Sequence, residues 1–142
     1  MENYQSEYTV VGLMSGSSLD GVDIALCRFL KTNRWSFSVL RAETVSYADE
    51  WMQRLSIVRN LSGSELTKLH ADYGHYLGKL VKNFLDEANE KADFISSHGH
   101  TVFHQPENKF TLQIGDGASI SSEAQMPAVC DFRSGDVALG GQ

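Results

Sequence analysis

A ten-residue stretch near the N-terminus combines the groups that a phosphate ligand requires. Residues 14–23, MSGSSLDGVD, contain three hydroxyls, two glycines and two carboxylates between two apolar runs. Glycines let backbone N–H groups approach a ligand closely, and serine hydroxyls add further donors that can converge on a phosphate. Asp20 and Asp23 suit Mg²⁺, which accompanies nucleotide phosphates and prefers carboxylate oxygens. Two alternatives stay open at this point, a site for a metal–nucleotide and an ordinary solvent-exposed turn.

Histidines near residue 100 raise a metal hypothesis. Alternate residues of a strand share a face, so His98 and His100 could chelate one ion, with His104 nearby. No Cys or Glu accompanies them, and Val102 stands where a His-x-His-x-Asp pattern would need its carboxylate. Gly99 also interrupts the strand pattern. The composition of this stretch therefore weighs against a metal site.

Two further polar stretches, 113–117 and 131–136, follow predicted strands. In α/β sheets, ligands gather beyond the strand ends, where loops present polar groups from a rigid frame. Arg133 lies between Asp131 and Asp136. It could bind an anion or carbohydrate hydroxyls, or it could form a structural ion pair at a surface turn.

Apolar patterning predicts a mixed α/β sheet that holds these groups. Strands over 8–14, 22–29 and 35–45 are joined by short polar turns, so the chain should begin with three antiparallel strands. The 14–23 stretch is then a hairpin loop. After Lys91 the pattern predicts a small helix over 118–125 and shorter strands over 93–97, 101–104, 110–114 and 128–132.

Two helices are predicted between these groups of strands. A short one covers 49–60, and Ser62 with Glu65 has the spacing of a capping box that opens a longer one. An apolar stripe at three- and four-residue steps follows it: Leu66, Leu69, Tyr73, Leu77, Leu80, Phe84 and Ala88. His70 and His75 fall on this helix five residues apart and are expected to be surface or packing residues.

Length and composition bound the class of protein. The 142 residues suffice for one domain, and the net charge of −6 without Lys/Arg clusters argues against a nucleic-acid surface. Neither a signal peptide nor a membrane span is indicated, so a cytoplasmic location is expected. Cys27 and Cys130 are expected to be reduced, buried thiols. The terminal residues 136–142 lack a closing element, as if the chain stopped in mid-fold.

Four segments together resemble the anhydro-N-acetylmuramic acid kinase family. They are residues 12–23, 97–104, 111–116 and 131–142, they occur in the family's order, and the resemblance spans essentially the whole chain. It implies an actin-like, sugar-kinase ATPase (ribonuclease H-like) fold, in which two lobes close around a nucleotide. Residues 1–142 would form the N-terminal ATPase-lobe domain, truncated and without the second lobe.

The resemblance also implies roles for individual residues. Thr101, Arg133 and His98 would position the sugar, and Asp20 or Asp23 would lie near Mg²⁺. The ATP-binding residues would be Gly16, Ser17, Ser18, Leu19, Asp20, Gly21, Val22 and Asp23. Ser17 stands where the family usually has Thr, His100 where Gln is typical, and Gly135 where a basic residue is frequent.

The activity that the resemblance implies is ATP-dependent and acts on an amino sugar. Family members hydrolytically open 1,6-anhydro-N-acetylmuramic acid and phosphorylate O6, giving the 6-phosphate used in peptidoglycan recycling; ATP and Mg²⁺ are the cofactors, and a homodimer is common. The general-base aspartate would lie beyond Gln142, so the catalytic residue is unknown here and the chain alone is expected to be inactive. The alternative is a non-catalytic remnant or interaction module of the same fold.

Overall fold

Six strands form one mixed sheet in the residues that this computed structural model describes, 6–16 and 18–142. The strands are β1 (Glu7–Ser15), β2 (Gly21–Lys31), β3 (Trp35–Ser46), β4 (Phe94–Gln105), β5 (Phe110–Ile114) and β6 (Ala128–Val129). Their order is β3-β2-β1-β4-β5, with β6 paired to β4. β1, β2 and β3 are antiparallel, and β4 runs parallel to β1. The predicted mixed sheet with an antiparallel three-stranded start is confirmed.

β4 is a single strand where the sequence predicted two. Leu13 of β1 pairs with Ser97 and Ser15 pairs with His100, so β4 carries one extra residue in this interval. Gly99 lies there with φ of +72°, and a Cβ at this position would collide with the carbonyl oxygen of Ile114. The glycine forms a β-bulge, which bends the strand without ending it.

The predicted strand over 128–132 is wrong beyond its first two residues. Pairing covers only Ala128–Val129, and helix α4 (Phe132–Ala138) follows almost at once. Asp131, just before the helix, has a left-handed backbone with φ of 58°. That conformation breaks the extended chain, so the apolar run continues as a helix and the 136–142 segment begins inside it.

Helices α1 (Asp49–Ser56), α2 (Gly63–Ala88) and α3 (Gly117–Ala124) cover one face of the sheet. Alternate residues of the strands meet them in one core, and the predicted apolar stripe of α2 supplies much of it. Leu69, Tyr73, Leu77 and Phe84 are buried, whereas Leu66 and Leu80 are half-buried at its edge. The predicted helix over 49–60 is shorter, because α1 ends at Ser56 and Val58–Asn60 forms a 3₁₀ turn.

The capping box at the start of α2 is present as predicted. The Ser62 hydroxyl accepts a hydrogen bond from the Glu65 N–H, and the Glu65 carboxylate accepts one from the Ser62 N–H at 2.8 Å. Ser62→Ala should lower the free energy of unfolding by about 1 kcal/mol, because it leaves a helix N–H unpaired. Urea denaturation measures this change. Ser122→Ala, at an exposed position of α3, is the control, and an equal change in both variants would contradict the prediction.

The opposite face of the sheet is only partly covered. Tyr8, Val10, Phe29 and Phe94 line an open pocket of about 510 Å³ there, together with Trp35. Trp35 and Phe37 of β3 are 53% and 69% exposed. The described chain therefore presents an apolar surface on this side, which we call the open face.

The two cysteines and the helices bear on two further expectations. Cys27 and Cys130 are free, as expected, but half-buried rather than buried. In the part of the chain that the structure describes, no helix is both long and apolar enough to cross a membrane.

Candidate functional site

The 16–20 loop connects β1 to β2 and contains the first predicted phosphate-binding residues. The Ser18 hydroxyl donates to the Asp20 carboxylate at 2.7 Å, and this bond holds the pKa of Asp20 below its usual value. Leu19 has a left-handed backbone with φ of 59°, and its half-buried side chain packs against the core. Leu19 thus anchors a loop whose polar residues, Ser18 and Asp20, are exposed. Ser17 lies outside the described residues.

Gly21 and Val22 have structural roles in the sheet and its core. Gly21 pairs with Ser46, and a Cβ on it would collide with the carbonyl oxygen of Val45. The close pairing of β2 with β3 therefore requires a glycine here. The Val22 side chain is fully buried in the core, so only its backbone could reach a ligand.

The two predicted metal ligands lie in different surroundings. Asp20 belongs to the exposed loop. Burial raises the pKa of Tyr47, and the negative charge of Asp20 adds to this effect. Asp23 accepts a hydrogen bond from the Thr44 hydroxyl and lines an open pocket of about 580 Å³ on the open face. Within the described residues, no three His, Cys, Asp or Glu side chains are grouped as a metal site. Of the two, Asp20 would suit Mg²⁺ better, because its loop carries the predicted phosphate-binding residues.

His98 and His100 point to opposite faces of the sheet, so the metal hypothesis for this pair is wrong. His98 lines the pocket on the open face, beside the ring of Phe132 at 6.1 Å. His100 is buried on the core side, where its ring packs edge-on against Tyr73 at 6.3 Å. The bulge at Gly99 inserts one residue between them and thereby reverses the alternation of side chains.

Burial of His100 should make the stability of the folded protein depend on pH. Burial lowers the pKa of His100 from its usual value, and the positive charges of Arg59 and of His98, when protonated, lower it further. The folded state then binds fewer protons than the unfolded state. The stabilisation that comes from keeping His100 neutral is therefore complete above about pH 6.5 and is lost as the pH falls below it. His100→Gln should therefore reduce the loss of unfolding free energy between pH 7 and pH 5, measured by urea denaturation.

A matched control is available for this prediction. His104→Gln replaces an exposed histidine of the same strand and should leave the pH dependence unchanged. Equal pH dependence in His100→Gln and the unsubstituted protein would show that another group is responsible.

The predicted sugar-positioning residues lie at a corner formed by β4, β5 and α4. Thr101 pairs with Gln113 of β5, whose side-chain amide donates to the Thr101 hydroxyl at 3.4 Å. Phe132 contacts His98 and directly precedes Arg133 on α4, which packs against β5. Among the described residues Arg133 makes no ion pair within 4.0 Å. The alternative that Arg133 forms a structural ion pair at a surface turn is therefore not supported.

Unpartnered polar atoms mark the same corner. His98 Nε2 and Gln113 Oε1 are buried and have no hydrogen-bond partner among the described residues. Buried polar atoms without partners are rare in folded proteins, and a ligand rich in hydroxyls would supply the missing bonds. Sequence reasoning missed Gln113 as a site residue, although it opens the polar 113–117 stretch.

The rest of the 113–117 stretch is structural. The Asp116 carboxylate accepts hydrogen bonds from the N–H and the hydroxyl of Ser119, so it caps α3. The Gly115 N–H donates to His70 Nδ1 at 3.1 Å, which joins the stretch to α2. His70 is therefore a packing residue, as expected, and His75 is an exposed partner of Glu123.

The start of the 16–20 loop and the corner formed by β4, β5 and α4 are neighbours. Ser15, the last residue of β1, pairs with His100, which immediately precedes Thr101. Ser15 is the carboxyl end of β1, where ligands of α/β sheets gather, and His100 and Thr101 lie in the middle of β4, where its parallel pairing with β1 ends. One ligand could therefore contact the 16–20 loop while a second contacts the β4, β5 and α4 corner.

Comparisons with known proteins point to one family. The family model described as anhydro-N-acetylmuramic acid kinase matches residues 8–142. A protein of that name from Paramagnetospirillum magneticum is 42% identical over 93% of this chain, and one from Francisella tularensis is 36% identical over 96%. The chain spans 37% and 39% of the lengths of these two relatives. The chain therefore belongs to the anhydro-N-acetylmuramic acid kinase family.

Proposed function

We propose that this chain supplies the phosphate-binding and sugar-positioning residues of an ATP-dependent kinase with an actin-like fold. The substrate would be 1,6-anhydro-N-acetylmuramic acid and the product its 6-phosphate, with the ring opened by water. The observation that carries the proposal is the pairing of Ser15 with His100. It supports the proposal because Gly16 directly follows Ser15 and Thr101 directly follows His100, and transfer from ATP to a sugar oxygen requires the two reactants to bind side by side.

Each part of the site would bind or orient one reactant. Backbone N–H groups and hydroxyls of the 16–20 loop would hold the phosphates of ATP. Asp20, which accepts a hydrogen bond from the Ser18 hydroxyl, would hold Mg²⁺, which neutralises phosphate charge when bound. Thr101, Gln113, His98 and Arg133 would orient the sugar, with Arg133 free to approach oxygen atoms. Positioning and electrostatics are most of what phosphoryl transfer asks of a protein.

In the proposed reaction, the oxygen of water bonds to the anomeric carbon and the bond from that carbon to O6 breaks. O6 bonds to the γ-phosphorus of ATP, the bond from that phosphorus to the β–γ bridging oxygen breaks, and ADP leaves. A general base must accept the proton from water. We propose that this base lies outside these 142 residues, so that the chain alone has no turnover.

The proposal predicts the effect of Asp20→Asn. In the complete gene product, kcat/KM for ATP should fall about tenfold, because the neutral amide is a weaker ligand for Mg²⁺. Phosphorylation of 1,6-anhydro-N-acetylmuramic acid by Mg-ATP is the assay. Asp86→Asn, an exposed substitution on α2, is the control. Absence of sugar phosphorylation by the complete gene product, or turnover by the 142-residue chain alone, would each contradict part of the proposal.

A second candidate function is a non-catalytic interaction module of the same fold. The exposed Trp35 and Phe37 on the open face favour it, because apolar surface of this kind often pairs with a partner. Sedimentation of the purified chain discriminates. A strictly monomeric chain that binds Mg-ATP would count against the module.

A further inference from the structure

A cross-strand pair, Thr101 of β4 and Gln113 of β5, has hydrogen-bonding groups that the described residues leave unused. The two residues pair directly, so their side chains lie on the same face of the sheet. Gln113 is 8% exposed, and its Oε1 is buried without a hydrogen-bond partner among the described residues. An unpartnered polar atom of this kind is costly unless a ligand or a water molecule supplies the missing bond.

A neighbouring threonine fixes which way the Gln113 amide points. The Thr111 hydroxyl donates its single proton to the carbonyl oxygen of Phe103 at 3.1 Å. Thr111 can therefore only accept from Gln113, so the amide atom that faces it at 2.7 Å is the nitrogen donor, Nε2. The unpartnered atom of Gln113 is then the carbonyl oxygen, which accepts hydrogen bonds and donates none.

The Thr101 hydroxyl has the opposite capacity. It accepts a hydrogen bond from Gln113 Nε2 at 3.4 Å, and among the residues that the structure describes it donates none. Its proton is therefore available to a ligand. The nitrogen and oxygen of an amide are about 2.2 Å apart, so Gln113 Oε1 lies within about 5.6 Å of Thr101 Oγ1. Two hydrogen bonds of about 2.8 Å to one bridging oxygen atom can span that distance.

Apart from water, only a hydroxyl can both donate and accept through one oxygen atom. A secondary amide is trans, so its N–H and C=O point in opposite directions, and an ionised carboxylate only accepts. The proposed substrate has a single alcohol hydroxyl, at C4. Its C1 and C6 share the anhydro oxygen, C2 carries the acetamido group and C3 carries the lactyl ether.

We infer that Thr101 and Gln113 are specificity-determining residues that bind the C4 hydroxyl of the sugar, Thr101 as donor and Gln113 as acceptor. The inference rests on the proposed function, because it takes 1,6-anhydro-N-acetylmuramic acid as the substrate. Gln113 Oε1 is buried, so the sugar reaches it when α4, which packs against β5, shifts. A sugar with a substituent on its C4 oxygen has no proton to donate to Gln113, so the pair selects against sugars that are extended at C4.

The test compares 1,6-anhydro-N-acetylmuramic acid with its 4-deoxy analogue as substrates of the complete gene product and Mg-ATP. We expect kcat/KM for the 4-deoxy sugar to be about 30-fold lower, because two hydrogen bonds are lost and Gln113 stays unpaired. Thr101→Val keeps the shape of the side chain and removes the hydroxyl, and Gln113→Met keeps its length and removes the amide. In each variant the ratio between the two sugars should fall to about fivefold, while KM for ATP stays unchanged.

A matched control makes the same change elsewhere in the sheet. Thr9→Val replaces a half-buried threonine near the amino-terminal end of β1. Its ratio between the two sugars should equal that of the unsubstituted protein.

The outcomes separate this inference from the proposed function. If the unsubstituted protein phosphorylates neither sugar, the proposed function fails and the inference fails with it. If it uses both sugars equally well, or if either variant keeps the full ratio, only the inference is overturned, because water or another group then occupies this place. If Gln113→Met loses its cooperative thermal transition, Thr101→Val decides. A smaller ratio in that variant supports the inference, and an unchanged ratio overturns it.

Discussion

Gly99→Ala should lower the free energy of unfolding by about 3 kcal/mol, because two unfavourable effects coincide at this residue. Its φ of +72° is a conformation that residues with a Cβ rarely adopt. The added methyl would also collide with the carbonyl oxygen of Ile114 on β5. Neither effect can be relieved without moving β4 relative to β5. The same backbone carries His98 and Thr101, so the substitution should also impair the proposed sugar site.

Urea denaturation of the purified protein measures this prediction. Gly63→Ala is the matched control, because an added Cβ at that position meets no atom within 4 Å. The control should be neutral or slightly stabilising, since alanine is favoured over glycine in a helix. A loss below about 1 kcal/mol in Gly99→Ala would show that the bulge can rearrange without strain.

Tyr73→Ala should lower the free energy of unfolding by about 4 kcal/mol, as is typical of removing a fully buried aromatic ring. Tyr73 is 0% exposed, and its ring lies 5.4 Å from Trp51 and 6.3 Å from His100, centroid to centroid. Removal of the ring would leave a cavity between α2 and the sheet, and removal of the hydroxyl would take away the hydrogen-bond partner of Tyr47. The substitution therefore removes packing contacts and a hydrogen bond at the same time.

Tyr73→Phe separates the two contributions. It keeps the ring and removes only the hydroxyl, so about 1 kcal/mol should be lost in urea denaturation. The remainder of the alanine effect then belongs to packing. If Phe and Ala at this position had the same effect, the hydrogen bond to Tyr47, rather than the packing of the ring, would dominate the stability of this region.

The comparison between sequence and structure is most instructive along β4. The apolar pattern located both of its halves, but a single glycine between them suggested an interruption. In the structure a partner strand lies on each side, and the pairing with β1 and β5 resumes at His100, so the strand continues past the bulge at Gly99. Because the bulge reverses the alternation of side chains, the pairing of His98 with His100 could not be judged from spacing.

Features that depend only on neighbouring residues could be predicted from the sequence. These are the antiparallel start of the sheet, the capping box of α2, the apolar stripe of α2 and the motifs that indicate the family. Each reflects a local periodicity or a short, specific pattern, which is present in the chain before it folds.

Which distant groups meet became visible only in the folded structure. It separated His98 from His100, placed Gln113 beside Thr101, and joined the hydroxyls of Tyr47 and Tyr73. It also made Asp116 a helix cap rather than a ligand-binding group. The physical reason is that these contacts depend on strand register and on the packing of α2 against the sheet, which are set by the whole core rather than by any one segment.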